Sequence, residues 1–153
     1  MAGHDNEIPN QENTARADVA AWLMAHGYNC AQAICAVFGP RLGLPESLAL
    51  SVASGFGGGM ARRAETCGAV TGALTILGLR FGGDKTLVYA KAREFFDKFK
   101  ARHDSIVCRE LLPYDISTEA GHKAAKEEGL FGSACIEYVR TAAEILDEMI
   151  ARK

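Results

Sequence analysis

The sequence predicts an all-α protein, a single-domain bundle of five to seven helices, and three observations carry that prediction. Apolar residues return at three- and four-residue spacing through most of the chain. Good N-cap residues stand just before these stripes, with glycine or proline just after them. No segment alternates apolar and polar residues as a half-buried strand would.

In chain order, residues 1–13 read as a loose polar tail and residues 14–153 as the helical domain. Thr14 is placed to cap a first helix reaching about His26, with Val19, Trp22, Leu23 and His26 on one face and Gly27 ending it. His26 reads there as a satisfied core histidine. Asn29 caps a second helix whose buried face is Cys30, Ala33, Ile34, Val37 and Phe38, closed by Gly39-Pro40. Pro45 suits the first position of a short third helix, with Leu48, Val52 and Leu50 pointing inward.

The run Ser54-Gly55-Phe56-Gly57-Gly58-Gly59-Met60 reads as a loop, because each glycine costs a helix about 1 kcal/mol relative to alanine. Thr66 is expected to cap the next helix, with Cys67, Val70, Thr71, Leu74, Gly78 and Phe81 inward and Gly82-Gly83 at its end. Asp84 opens a long amphipathic helix that buries Val88, Ala92, Phe95, Phe96 and Phe99 and leaves Lys91, Arg93, Lys98 and Lys100 largely outside. A short turn runs from Cys108 to Leu112 and stops at Pro113. Residues 114–132 are polar and interrupted, with one helical turn expected around 119–126. Ser133 caps the last helix, whose stripe is Cys135, Val139, Ala142, Leu146, Met149 and Ile150.

Composition narrows the function. At 153 residues the chain can bury a core without disulfide staples. Its 17 basic and 19 acidic side chains leave a net charge of -2, which gives no electrostatic reason to expect nucleic-acid or anionic-membrane binding. No apolar stretch approaches the ~20 residues that span a bilayer, and the polar, acidic start lacks the pattern of a secretory signal. The expectation is a cytoplasmic protein whose thiols stay reduced.

Four of the five cysteines, Cys30, Cys67, Cys108 and Cys135, fall in the opening turn of an expected helix, each on its apolar stripe. Unpaired N–H groups at a helix start favour a thiolate, whereas an apolar surrounding opposes it. An inward stripe also lets distant cysteines meet. Cys35, at about 100° per residue, lies roughly 130° from the centre of its helix's stripe and stays outside the set. Free cysteine also fills cores as a small hydrophobe, but four residues sharing both features depart from that plain pattern. There is no Cys-x-x-Cys pair and no histidine cluster, so common zinc ribbons and ferredoxin loops are excluded. Four thiolates from four helices would still suit zinc or an iron–sulfur cluster, and two converging thiols would cycle to a disulfide with no cofactor at all.

With these residues in view the chain resembles the C_GCAxxG_C_C family of redox-active proteins, recognised by four spaced cysteines and a Cys-Gly-Ala-x-x-Gly segment. That segment stands here as Cys67-Gly68-Ala69-Val70-Thr71-Gly72. Asn29-Cys30-Ala31-Gln32-Ala33, the 54–60 glycine loop, Cys108-Arg109-Glu110-Leu111-Leu112 and Cys135 also look like the family's, over roughly residues 28–138. The resemblance implies redox activity resting on the cysteines. The family is often linked to transporter or oxidoreductase genes, and a related domain occurs in haem-containing proteins. No Cys-x-x-Cys-His site is present for covalent haem.

The glycine loop, followed by Arg62 and Arg63, has neither the ending nor the preceding strand of a phosphate-binding loop, so it reads as a turn beside the Cys67 helix. The two arginines are alternatively placed to stabilise a Cys67 thiolate. Gly68 and Gly72 form a ridge for close approach of another helix. The leading expectation is thiol–disulfide or electron-transfer chemistry at Cys30, Cys67, Cys108 and Cys135, with Cys67 attacking and another of the set resolving. The partner would be a redox protein or a small thiol or disulfide. The alternatives are a metal or iron–sulfur site on the same four cysteines, and a structural or interaction module with inert cysteines. Any exposed apolar face would allow a homodimer.

Overall fold

Eight α-helices run through residues 8–151, the part of the chain that the computed structural model describes: α1 (Arg16–Ala25), α2 (Cys30–Phe38), α3 (Glu46–Ala53), α4 (Gly68–Phe81), α5 (Lys85–His103), α6 (Cys108–Leu111), α7 (Glu119–Glu127) and α8 (Ala134–Ala151). Three 3-10 turns, Pro40–Leu42, Ser54–Phe56 and Leu130–Gly132, join them. The all-α expectation holds. The count exceeds five to seven because α6 and α7 are true short helices where periodicity predicts only turns. α7 is started by the Thr118 hydroxyl accepting from Gly121 N–H. Residues 1–7 of the expected tail lie outside the described residues, while Ile8 packs against the core.

α2 sits at the centre because nearly every one of its side chains is apolar and small enough to be surrounded. All but Gln32 are buried, and the helix packs against α1, α3, α4 and α8. Its start is a full capping box: Asn29 accepts from Gln32 N–H while Gln32 accepts from Asn29 N–H. The same two side chains reach outward, Asn29 to Ser54 O at 3.0 Å and Gln32 to Leu50 O at 3.1 Å. α4 lies equally close on α2, since a Cβ on Gly72 would meet the Ala31 Cα and O at 3.1 Å each. Gly68 and Gly72 therefore serve packing, and α4 turns so that Gly68, Ala69, Val70, Gly72, Ala73, Ile76 and Leu77 are buried. The expected Thr71, Leu74, Gly78 and Phe81 are only half-buried.

Several further expectations are corrected. Leu48 and Val52 are each 53% exposed, and α3 instead docks through Ala49 and Ala53. Small residues on that face let the α3 backbone come within reach of Asn29 and Gln32. His26 is exposed and stacks on Trp22, with ring centroids 3.8 Å apart and Nδ1 2.8 Å from Trp22 O. Ala15, not Thr14, holds the N-cap position of α1, without a side-chain bond. Thr66 caps nothing: Cys67 itself is the N-cap of α4, and Thr66 forms an isolated antiparallel bridge with Val107. Ser133 does precede α8, its carbonyl accepting from Glu137 N–H at 3.1 Å, while its hydroxyl donates to Gly129 O. Asp84 caps α5 as expected, with Phe95 and Phe99 buried and Phe96, Val88 and Ala92 half-buried.

Candidate functional site

The four expected site cysteines converge. Cys30 is the first residue of α2, Cys67 the N-cap of α4, Cys108 the first residue of α6 and Cys135 the second of α8. All four line one cleft of about 460 Å³, together with Met24, Asn29, Arg62, His122, Phe131 and Tyr138 among others. They are free thiols, only 5–8% exposed. Cys35 is buried elsewhere, its Sγ 3.7 Å from Gly72 O, and does not line the cleft.

Two kinds of structure bring the sulfurs together. Cys30 and Cys67 meet because α2 and α4 pack closely at Gly68, where a Cβ would stand 3.0 Å from Cys30 Cβ. Cys108 arrives through the backbone instead. Around the Thr66–Val107 bridge, Cys67 N–H donates to Ile106 O at 2.8 Å and Cys108 N–H to Glu65 O at 2.6 Å. Arg109 tightens this clasp, with Nε on Ala64 O and Nη2 on Glu65 Oε1 at 2.5 Å.

The glycine loop then folds over the cleft in an uncommon conformation. Gly58, Gly59, Met60, Ala61 and Arg62 all have positive φ, between +50° and +67°, and Ala64 does too. A non-glycine residue there costs roughly 1–2 kcal/mol, and the loop is held by its own long-reach bonds. Arg62 N–H donates to Gly57 O, Ala64 N–H to Gly58 O and Glu65 N–H to Gly59 O, at 2.9–3.1 Å. Gly59 lies against Cys108, whose Cβ would be 2.8 Å from an added Cβ.

The sulfurs act on one another more than the helix starts act on them. The Cys30 thiol is raised, first by its pairing with the Cys135 sulfur, which holds its proton, against a lowering contact from Cys67. Cys67 is raised well above the usual thiol range by Cys30 and by burial. The Ala69 and Val70 amides at the start of α4 oppose this without prevailing. Burial, then the charges of Cys67 and Asp115, push Cys108 up to about 12, with Arg109 pulling the other way. Cys35 is pushed up to about 11 by burial, opposed by the Thr75 hydroxyl. The expected support of Cys67 by Thr66, Arg62 and Arg63 is thus absent from the main influences on that thiol, and the arginine that matters stands beside Cys108.

Periodicity could have found Tyr138 and Leu111, which follow Cys135 and Cys108 by three residues. His122 and Phe131 carried no such signal, because they come from the irregular 114–132 stretch. Their rings pack together, centroids 5.3 Å apart, at the cleft. Among the described residues no three His, Cys, Asp or Glu side chains form a group that could hold a metal ion. No helix among those residues is long and apolar enough to cross a membrane.

No curated protein and no solved structure matches the chain. A family model does, over residues 28–149, which takes in all four cysteines of the cleft. Its description is "Putative redox-active protein (C_GCAxxG_C_C)". With Cys67-Gly68-Ala69-Val70-Thr71-Gly72 opening α4 at that cleft, the chain belongs to the C_GCAxxG_C_C family of redox-active proteins.

Proposed function

We propose that this protein is a thiol–disulfide oxidoreductase of the cytoplasm, working through Cys30, Cys67, Cys108 and Cys135. The observation that carries the reading is their convergence, as free thiols, on one cleft open to small molecules. Cys135 lines the cleft with Cys30 and lies in the first turn of α8, and a helix start favours a thiolate. It is the attacking sulfur in this scheme. The Cys135 thiolate displaces one thiolate from the substrate disulfide and forms a mixed disulfide. Cys30, giving its proton to the first expelled thiolate, then attacks the Cys135 sulfur and expels the second thiolate. Two electrons pass from the protein to the substrate, and a Cys30–Cys135 disulfide remains. Cys67 and Cys108 line the same cleft and make up a second pair in this scheme.

The grouping of donors does not favour the metal reading, since no three of them share a metal-holding arrangement among the described residues. The test is a thiol count and metal content on protein purified without oxygen. Metal-free protein that loses two or four thiols on mild oxidation, with Cys35 retained, is the expected result. Brown colour, or stoichiometric zinc or iron, would overturn the reading in favour of a metal site. Thiols that react only after denaturation would leave a structural module.

A further inference from the structure

We infer that the cleft takes a small, largely apolar disulfide bearing an anionic group, with Arg62 as its counter-charge, rather than a disulfide displayed on a folded protein. This rests on the thiol–disulfide reading and names the substrate class for it.

Size and depth come first. A volume of about 460 Å³ falls within the few hundred Å³ typical of small-ligand sites. The four cysteines keep 5–8% of their surface, so the sulfurs lie at the bottom. Displacement requires the thiolate to approach along the S–S axis, which puts groups from both sides of the disulfide inside the cleft. A small molecule can enter whole, whereas a folded protein would have to bring two chain segments with it.

Lining chemistry comes second. Met24, Leu111, Phe131 and Tyr138 give the walls an apolar, aromatic character suited to a ring or hydrocarbon. The lining includes an arginine and a histidine but no aspartate or glutamate. Arg62 forms no ion pair among the described residues, whereas Arg109, close by in the clasp, is spent on Glu65. Its charge is felt at His122, whose ring it keeps less basic than usual, after the larger effect of burial.

The loop that carries Arg62 is the third observation. Arg62 is at φ +62°, and its Cγ would be 2.8 Å from a Cβ on Gly58, so the side-chain stem lies along the glycine. Strain of this kind persists where surrounding structure over-determines it and gathers at ligand clamps. Here it sets an unpaired guanidinium, the strongest binder of a carboxylate, at the edge of an otherwise apolar cleft.

The test compares two aromatic disulfides on the reduced full-length protein. Dithiobis(nitrobenzoate) carries a carboxylate on each ring, and dithiodipyridine carries no charge. R62Q should slow the first about tenfold, the loss of one charge-assisted contact, and leave the second within about twofold. R62K should recover most of the rate, and R63Q, outside the cleft, should change neither. Raised salt, which requires no variant, should slow only the carboxylated probe. Equal slowing of both probes in R62Q, no slowing at all, or equal reactivity towards the disulfide of a folded protein would overturn the inference. Each of these leaves the thiol–disulfide reading standing. Failure of the native wild-type thiols to react with either probe would sink that reading itself.

Discussion

The two walls of the cleft are built by different physics. One wall is helical: α2, α4 and α8 bring Cys30, Cys67 and Cys135 together through buried apolar faces and the Gly68–Gly72 seam. The other is irregular: the positive-φ run from Gly58 and the Thr66–Val107 bridge hold Arg62 and Cys108 by backbone hydrogen bonds. Packing sets where three of the sulfurs lie, while the irregular wall sets the fourth sulfur and the charge at the opening. Perturbing the first should loosen the whole domain. Perturbing the second should change the site as well as the stability.

The largest effects test that division directly. Ile34→Ala, in the fully buried centre of α2, should destabilise by about 3–4 kcal/mol through lost burial and the cavity it leaves. Gly59→Ala should cost nearly as much, about 3 kcal/mol, because it combines a left-handed φ with a Cβ 2.6 Å from Glu65 N and 2.8 Å from Cys108 Cβ. Gly27→Ala has a positive φ and nothing within 4 Å, so strain alone should cost about 1 kcal/mol. Denaturant midpoints rank the three. Alkylation of the native cysteines separates the walls further, with Cys108 altered in G59A and the order of reactivity kept in I34A. A G59A protein as stable as G27A would mean that the irregular wall yields freely.

The difference between the walls also explains which parts of the fold the sequence discloses. Helical spacing and caps act over three or four residues, so α2, α5 and α8 can be read directly, and so can the placing of four cysteines at helix starts. α3 lies one residue out of phase with its hydrophobic pattern, because leucine and valine outweigh alanine on any hydrophobic scale although Ala49 and Ala53 are what close packing needs. The Thr66–Val107 bridge joins positions 41 apart, and no local pattern announces it. The convergence of the sulfurs followed from the stripes. The role of Arg109 and the place of His122 did not, since both depend on long-range backbone contacts and on a polar stretch without periodicity.

Asn29 belongs to both walls, and two substitutions can divide its roles. Its Oδ1 caps α2, and its Nδ2 donates to Ser54 O at the edge of the glycine loop. N29A removes both and should cost about 1–2 kcal/mol, the upper range for an N-cap. N29D keeps the cap and replaces the donor with a carboxylate oxygen facing Ser54 O, the added charge being offset in part by the α2 N-terminus, so roughly 0.5–1 kcal/mol is expected. Both are read from denaturant midpoints. Equal losses would mean that the bond to Ser54 carries the whole effect and that the walls are tied more firmly than the cap alone would make them.

The remaining effect is electrostatic and has a definite sign. Cys30, Cys67 and Cys108 are all harder to ionise in the folded protein than a free thiol, Cys108 reaching about 12. Below the unfolded thiol pKa of about 8.5 they are neutral in both states, and their contribution to stability is fully present. Above it the unfolded chain loses protons that the folded chain keeps, so stability should fall as pH rises from there towards about 12. Denaturant midpoints across this alkaline window should show a shallower fall in C108S than in the wild type. R109Q tests the irregular wall within the same window. Arg109 lowers Cys108, so its loss should raise that thiol further and slow Cys108 alkylation a few-fold at a given pH, leaving Cys35 unaffected. An unchanged Cys108 rate in R109Q would show that the arginine serves only to clasp the backbone at Ala64 and Glu65, leaving burial and Cys67 to govern the thiol.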